Sequence, residues 1–581
     1  MADQGFSLLI LAAGKATRFK SEHSKMLHRL AGRPLGDYVL RAGLQAGPDR
    51  TYMVIGHETA EVRKVYARPG ITFIEQGEQR GTGHALLVAR QELERCPSPT
   101  LLVLVGDAPL LRSQTLRALV EAHSKSRAAA TVLTSRPPDP TGYGRIVRGS
   151  GNRVRAIVEE KVATPAQLKI KEINSGILCF ALAPLLKHLD ELSSENAQKE
   201  FLLTDLVEIF NRHRLKVGAF PVADAGEVLG VNDRAQLAQM EKILRLRKAE
   251  MLMRDGVTIK DPEVTYIDDA VDVGPDTVIE PGVSLLGRTH VGRGCTLWPY
   301  STIIDSVLGD SVTVRPCCVI VKCEIASGAG IGPFAHLRDG AVIGERVRIG
   351  NFVEVKKSRL GRDTKVAHLT YLGDADLGEK VNIGAGTVTC NYDGENKHST
   401  VLEDEVFVGS GSMLVAPLRI GKGSYIAAGS TITESVPAES LALGRARQIV
   451  KEGWARTHGK GKSSAAVMVR DVGPVSVFLV AGPLTAGEAA KTVGRKIRQA
   501  IEGGRNQILV NLSGVLYLDS AGLGELFRAL ASLRSRGGQI KFSDVPEKTL
   551  RLLHAAKLDE VMEIYPDEPT ALASFSTDRA Q

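Results

Sequence analysis

Aromatic residues make up only 5% of the 581-residue chain, and no basic block interleaves with them. A nucleic-acid surface built from stacking side chains and clustered Lys/Arg is therefore not expected. No run of eighteen apolar residues occurs, so no membrane-crossing helix is expected either. The seven cysteines (Cys96, Cys179, Cys295, Cys317, Cys318, Cys323 and Cys390) are odd in number and contain no CxxC. That argues against a disulfide framework or a cysteine zinc site and suits a reducing cytoplasm. The N-terminal MADQGFSLLILAAGKATRF lacks a basic leader. Its apolar run ends on Gly14-Lys15, which reads as a buried strand and not a signal peptide.

What is present is length, apolar content of 43% and charged content of 24%, enough for three or so soluble domains. The net charge of +8 is spread along the chain, and anionic small substrates account for it as well as nucleic acid would. Residues 1–233 alternate apolar runs with helical stretches. Candidate strands are Ser7–Leu11, Thr51–Ile55, Ile71–Glu75, Leu101–Val105, Ala129–Thr134 and Gly176–Phe180. This predicts a mostly parallel α/β sheet covered on both faces, with ligands at the strands' C-terminal ends. Residues 234–255 predict a helical linker capped by Asn232 or Asp233.

From 256 to 458 the rhythm becomes sixfold. Ile267, Val273, Ile279, Leu285, Val291, Leu297 and Ile303 slip by one residue into Leu308, Val314 and Ile320. The series returns as Ile331, Leu337, Ile343, Ile349 and Val355, and again from Leu402 to Ile432. Period six is a hexapeptide repeat, each six residues forming one side of a triangular coil, with glycines easing the corners. Residues 459–466 (around HGKGKSSA) predict a flexible linker. Residues 467–575 predict a second α/β unit. Its expected strands are Val475–Val480, Ile508–Leu512 and Gln539–Phe542, and its expected helices Ala486–Glu502, Ala521–Arg536 and Pro546–Ala555.

Chemistry concentrates at a few places. Leu11-Ala12-Ala13-Gly14 leads from a strand to Arg18 and Lys25, a loop whose N–H groups and cations suit phosphates. Then come Gln76, Gly81-Thr82-Gly83-His84, Val105-Gly106-Asp107, Gly142-Tyr143-Gly144, Glu159-Glu160-Lys161, Asn174-Ser175-Gly176 and Gly230-Val231-Asn232. In this order they resemble the sugar-nucleotide pyrophosphorylase family. With the hexapeptide repeat attached, residues 5–455 resemble the bacterial bifunctional N-acetylglucosamine-1-phosphate uridylyltransferases/glucosamine-1-phosphate acetyltransferases.

The resemblance implies that Asp107 and Asn232 hold Mg²⁺ and that Gln76, Gly81 and Thr82 read uracil. It gives Gly144, Glu159 and Asn174 to the sugar. The reaction is then in-line attack of a sugar phosphate on the α-phosphorus of UTP, expelling pyrophosphate. On residue type, the alternative for Asp107 is a strand-end turn residue, while Glu159 is equally a solvated surface acid. The family's second loop glycine is Ala16 here, its proline before Lys25 is Ser24, and its aromatic before Gly-Asp is Val105.

In the repeat region, Asn351-Phe-Val-Glu-Val-Lys356 and His368-Leu-Thr-Tyr371 break the aliphatic pattern, as does Asn382-Ile-Gly-Ala385. Glu395–Thr400 predict an inserted loop. An ammonium acceptor needs a base titrating near neutrality, which histidine supplies. His368 is the candidate, the alternative being one more water-facing coil residue. The same resemblance assigns Arg338 and Lys356 to the sugar phosphate, and Tyr371 and Asn382 to the sugar. It assigns Ala385, Asn391, Tyr392, Ser410, Ala428 and Arg445 to acetyl-CoA. It further implies a left-handed coil, a homotrimer, and a product used for peptidoglycan and lipopolysaccharide precursors.

Finally, Ile508–Gly524, with Asp519-Ser520-Ala521-Gly522, resembles the sulfate-transporter and anti-sigma-factor-antagonist (STAS) family. That resemblance makes Ser520 a candidate phosphosite and the domain a docking module for a protein partner or kinase. Alternatively, Asp519 and Ser520 simply cap a helix. A rival reading of the whole chain is a degenerate enzyme body that trimerises a switch domain, supported by Ala16 and Val105 alone.

Overall fold

The computed structural model describes residues 5–14, 17–56, 58–196, 198–455, 466–484, 488–555 and 558–577. Contacts divide the chain into two compact units, Met1–Arg445 and Ala446–Gln581.

The first unit opens with β1 (Phe6–Ala12), β2 (Arg50–Ile55), β3 (Ile71–Glu75), β4 (Thr100–Val105), β5 (Ala130–Ser135), β6 (Ile173–Ala181) and β7 (Val217–Pro221). They lie in the order β7-β5-β6-β4-β1-β2-β3, with a side hairpin, Arg145–Arg148 and Val154–Val158, off β6. β1 is parallel to both β2 and β4, whereas β6 runs antiparallel to β4 and β5. The sheet is thus parallel except at β6 and the hairpin. Leu8 and Ile10 of β1 pack into one apolar layer and Leu9 into the other, so each face is covered. That is why the strand reads as an unbroken apolar run.

Helix Arg234–Arg254 follows, capped by Asp233, whose carboxylate accepts the Gln236 N–H at 2.8 Å. The repeat region then winds into a parallel β-helix with sheets of eleven, ten and nine strands. Ile331, Leu337, Ile343, Ile349 and Val355 lie in one continuous core that also takes in Ile267 and Ile432. Coils pair Val278 with Thr296 and Thr296 with Thr313, so the one-residue slip after Ile303 is a 17-residue coil following an 18-residue one. Coils of 17 residues recur from Thr313 to Gly330 and from Arg348 through Lys365 to Asn382.

The glycines after the aliphatic positions act differently from expectation. A Cβ on Gly350 would sit 1.8 Å from the Ala367 carbonyl oxygen, and one on Gly344 2.7 Å from that of Leu360. They permit one coil to approach the next. Positive-φ corners are made by other residues, non-glycines such as Asp305, Arg346 and Asp363 as well as glycines such as Gly328 and Gly386.

The second unit is a five-stranded sheet in sequence order: Ala466–Val472, Val475–Leu484, Gln507–Leu518, Gln539–Ser543 and Glu563–Tyr565. The first pair is antiparallel and the remainder parallel. Helices are Glu488–Glu502, Ser520–Arg534, Glu547–Ala555 and Glu568–Thr577. The first and last strands were not anticipated, because AVMVRDV and EIY are short or charge-interrupted. Most of the expected linker at 459–466, and the start of the helix expected from Ala486, lie outside the described residues.

Candidate functional site

Because β1 and β4 are neighbours, the loops at their C-terminal ends converge. A cavity of about 490 Å³ opens there. Leu11, Ala13, Gly14, Arg18, Lys25, Gln76, Gly81, Thr82, Val105, Gly106, Asp107 and Asn232 all line it. Ala12 does not; its side chain is buried in the sheet.

Asp107 sits just past β4, its carbonyl accepting the Val231 N–H at 2.9 Å, which fixes the Gly230-Val231-Asn232 loop beside it. The Lys25 ammonium bonds the Asp107 carboxylate, and Arg18 Nη2 donates to Asn232 Oδ1 at 2.8 Å. A carboxylate oxygen and an amide oxygen, each already facing a cationic group, form a hard donor set that fits a divalent ion of the magnesium type.

The opposite wall is set by a strap. Gln76 is buried, donating to the Gly81 carbonyl at 3.2 Å and lying 2.9 Å from His84 Nδ1. Gly81 has φ of +109°, and a Cβ there would meet the Phe201 carbonyl at 2.4 Å. The Gly83 N–H donates to that carbonyl at 2.7 Å, and Thr82 Oγ1 accepts the Leu203 N–H at 3.1 Å. Glu200, Gln79 and Ala85 also line the cavity and were not anticipated. Only their position on the cavity wall, not a motif, identifies them.

Gly144, Glu159 and Asn174 form a neighbouring patch outside that lining. The Gly144 carbonyl accepts the Asn174 N–H at 2.9 Å, and Thr204 Oγ1 donates to Glu159 at 3.4 Å. Burial raises the Glu159 carboxyl above its ordinary value. Val105, in place of an aromatic, is in close contact with Gly176: a Cβ on that glycine, at φ +76°, would lie 2.9 Å from Val105 Cγ1.

On the β-helix, Arg338, Lys356 and Gly373 are stacked in register on one sheet, with Tyr371 beside Glu354. Glu354 accepts from Arg338 Nε at 2.8 Å, and Asn391 donates to Asp374 at 2.6 Å. Both acids orient residues assigned to substrate, and neither was anticipated. Tyr392 is exposed just ahead of the inserted loop, where its neighbour Asp393 accepts the Glu395 and Asn396 N–H groups and His398 Nε2. These bonds hold the Asp393 carboxyl well below its ordinary range.

His368 ends a strand of the adjacent sheet. Its Nδ1 donates to Asn351 Oδ1 at 2.6 Å, the two residues pairing across coils. With Nδ1 carrying the proton, Nε2 keeps its lone pair and is the basic atom. Asn351 was part of the anomalous stretch, but its role shows only through this register.

Below His368 the same position is taken coil by coil by Ala385, Ser410 and Ala428. The Gly386 N–H donates to the His368 carbonyl, Gly411 to Ala385 and Gly429 to Ser410, at 3.4, 2.7 and 2.8 Å. Above this point the adjoining corner starts at Gly282 and carries Tyr300, Cys317, Phe334, Phe352 and Leu369; below it, the corner is Gly386, Gly411 and Gly429. A side-chain ridge thus gives way to bare backbone at the histidine. Asn382 faces elsewhere, lining a cavity of about 660 Å³ with Arg346, Arg348, Lys365 and Lys380. Arg445 is exposed beyond the last strand, Leu441–Ala442.

Comparison with known proteins finds three family matches along the chain. Residues 8–207 fit the MobA-like NTP transferase domain, 322–357 the bacterial transferase hexapeptide (six repeats), and 466–571 the STAS domain. The "Bifunctional protein GlmU" of Koribacter versatilis is 50% identical over 454 residues, covering 78% of this chain and 96% of its own.

The chain belongs to the bifunctional GlmU family.

The GlmU proteins of Trichlorobacter lovleyi and Pelobacter propionicus are 49% and 47% identical, over 77% and 78% of this chain and 97% and 98% of theirs. A solved CMP:2-keto-3-deoxy-manno-octonic acid synthetase complexed with CTP is 16% identical with a TM-score of 0.34, covering 41% of this chain and 98% of its own. That overlap is too weak to bear on function. As a GlmU-family member the protein is an enzyme with a uridylyltransferase and an acetyltransferase, making UDP-N-acetylglucosamine, and its nucleotidyl transfer uses a divalent metal. The STAS domain is an addition beyond the segment shared with these relatives. No helix among the described residues is long and apolar enough to cross a membrane.

Proposed function

We propose that the two sites divide the pathway from glucosamine-1-phosphate as follows. At the β-helix, His368 Nε2 takes a proton from the substrate ammonium, and the freed amine attacks the acetyl-CoA thioester carbonyl. The new C–N bond replaces the C–S bond, and the proton lost from the amine leaves on CoA as the free thiol. Arg338 and Lys356 hold the sugar phosphate, with Tyr371 and Asn382 on the sugar. Asn391, Tyr392 and the Ala385–Ser410–Ala428 column receive the acetyl-CoA arm, and Arg445 takes a CoA phosphate. The reading rests on the change from ridge to glycine corner directly at His368.

At the sheet, Asp107 and Asn232 hold Mg²⁺, which when bound neutralises charge on the reacting phosphates. Arg18, Lys25 and the loop N–H groups position the UTP phosphates for in-line attack. Gln76, Gly81 and Thr82 bind uracil; Gly144, Glu159 and Asn174 bind the N-acetyl sugar. The Lys25–Asp107 pair beside Asn232 carries this assignment.

We further propose a homotrimer. Asn382 lies on a different sheet from Arg338, Lys356 and Tyr371, so one chain does not gather the full sugar set. The exposed ridge of Tyr300 (71%), Phe334 (51%), Phe352 (56%) and Leu369 (61%) offers the apolar contact between copies. Seven free thiols suit a reducing cytoplasm. The domain limits that fit this division are those expected from the sequence, 1–233, 234–255, 256–458 and 467–575.

Chelation separates the heads. EDTA is expected to abolish pyrophosphate release from UTP and N-acetylglucosamine-1-phosphate, and added Mg²⁺ to restore it. CoA release from acetyl-CoA and glucosamine-1-phosphate should persist throughout. Uridylyl transfer in EDTA would refute the metal assignment.

For the STAS domain, Asp519 accepts the Ala521 and Gly522 N–H groups at 2.9 Å each, so the helix-capping role is filled by Asp519. Ser520 as first helical residue supports a phosphoacceptor whose added charge, about −1.5 to −2, alters docking to a protein partner. Mass spectrometry of protein from cells grown under several conditions is expected to find Ser520 phosphorylated. Unmodified Ser520 in all of them would end that reading.

A further inference from the structure

Away from both sites, helix Leu182–His188 ends in a 3₁₀ turn, Leu189–Glu191, so His188 and Glu191 are three residues apart on one side. Helix Asp205–Arg212 delivers His213 as its C-terminal cap beside them. The two imidazoles lie 4.1 Å apart between centroids. His188 is 6% exposed, with the Phe210 ring against its edge at 6.2 Å. Both rings address one carboxylate: His188 Nδ1 is 2.6 Å from Glu191 Oε1, and His213 Nε2 is 2.9 Å from that oxygen and 3.0 Å from Oε2.

We propose that His188, Glu191 and His213 bind one borderline divalent transition ion, zinc being the best match. Two imidazole nitrogens and a carboxylate oxygen suit zinc and not magnesium or calcium. The three ligand atoms already lie within 4.8 Å of one another. Tetrahedral zinc with bonds near 2.0–2.1 Å needs its donors about 3.3 Å apart, so the His188 and His213 contacts to Glu191, now 2.6 and 2.9 Å, widen by about 0.7 and 0.4 Å. The half-exposed His213 and Glu191 side chains, at 44% and 37%, can move outward while packing fixes His188. Water completes the fourth position from the solvent side.

The ion would do more than join two helices. Between Glu191 and His213 lie the strap residues Phe201 and Leu203, which hold Gly81–Gly83, and Glu200, which lines the nucleotide cavity. A bound ion staples the base of that strap, through ligands distinct from Asp107 and Asn232.

The full chain, stripped of metal and dialysed, is titrated with Co²⁺ in the presence of excess Mg²⁺. The expected result is the visible absorption of tetrahedral cobalt, saturating at one equivalent per chain and displaced by Zn²⁺. Loss of a direct ligand in His213→Ala should weaken binding by more than the roughly 10–100-fold typical of an outer-shell partner, with the circular dichroism spectrum unchanged. Glu191→Gln gives a second, milder variant expected to lose the spectrum as well. Zinc and cobalt binding by the unmodified chain no greater than by folded His213→Ala would overturn the proposal. The readout is binding alone, so its outcome is separate from that of either catalytic assignment.

Discussion

Asp107→Ala is expected to cut pyrophosphate release from UTP and N-acetylglucosamine-1-phosphate by about 10²–10³-fold or more, while CoA release continues nearly unchanged. The substitution removes the carboxylate proposed to hold the metal and leaves the Lys25 ammonium without its bonded partner. Positioning and charge neutralisation supply most of the acceleration in phosphoryl transfer, so the loss falls on the chemical step. Nothing in the β-helix core draws on Asp107: that core runs from Ala249 to Val436 as a separate apolar stack. A near-native circular dichroism spectrum would establish that the variant is folded. Equal loss of both activities in such a variant would contradict the separation of the heads.

His368→Ala is expected to do the reverse, lowering acetyl transfer by about 10²–10⁴-fold and sparing uridylyl transfer of pre-acetylated substrate. Two readouts distinguish a lost base from a lost scaffold. Sugar-phosphate binding should hold, because Arg338, Lys356 and Glu354 form their own network on the neighbouring sheet. Raising the pH should recover part of the rate, because the substrate amine then sheds its own proton and needs the histidine less. An unchanged rate at neutral pH would reject His368 as the base.

Much of this was legible in the sequence because the physics is local and repeated. The sixfold aliphatic period leaves little choice but a coil, and even the slip after Ile303 appears as one shortened turn. The phosphate loop, Asp107 and Asn232 carry recognisable small-residue and carboxylate patterns, and the fold brings them to one cavity. What stayed hidden depends on cross-coil register or on distant chain.

Asn351 looks like any polar coil residue until pairing sets it on His368. Glu354 and Asp374 become orienting groups only once Arg338 and Asn391 are stacked against them. Glu200 reaches the nucleotide cavity from a strap more than a hundred residues beyond Gly81, by way of backbone hydrogen bonds no side-chain pattern announces. The repeat glycines were visible, but their reason was not. Close approach of successive coils demands them at Gly344 and Gly350, whereas the turns tolerate aspartate and arginine.

The most direct test supplies the purified chain with glucosamine-1-phosphate, acetyl-CoA, UTP and Mg²⁺, and follows CoA thiol and pyrophosphate together. Two sites acting in sequence predict one CoA and one pyrophosphate per UDP-N-acetylglucosamine formed, with CoA appearing first and pyrophosphate after a lag. A protein that releases neither, or that releases pyrophosphate from glucosamine-1-phosphate with no acetylation, would contradict it.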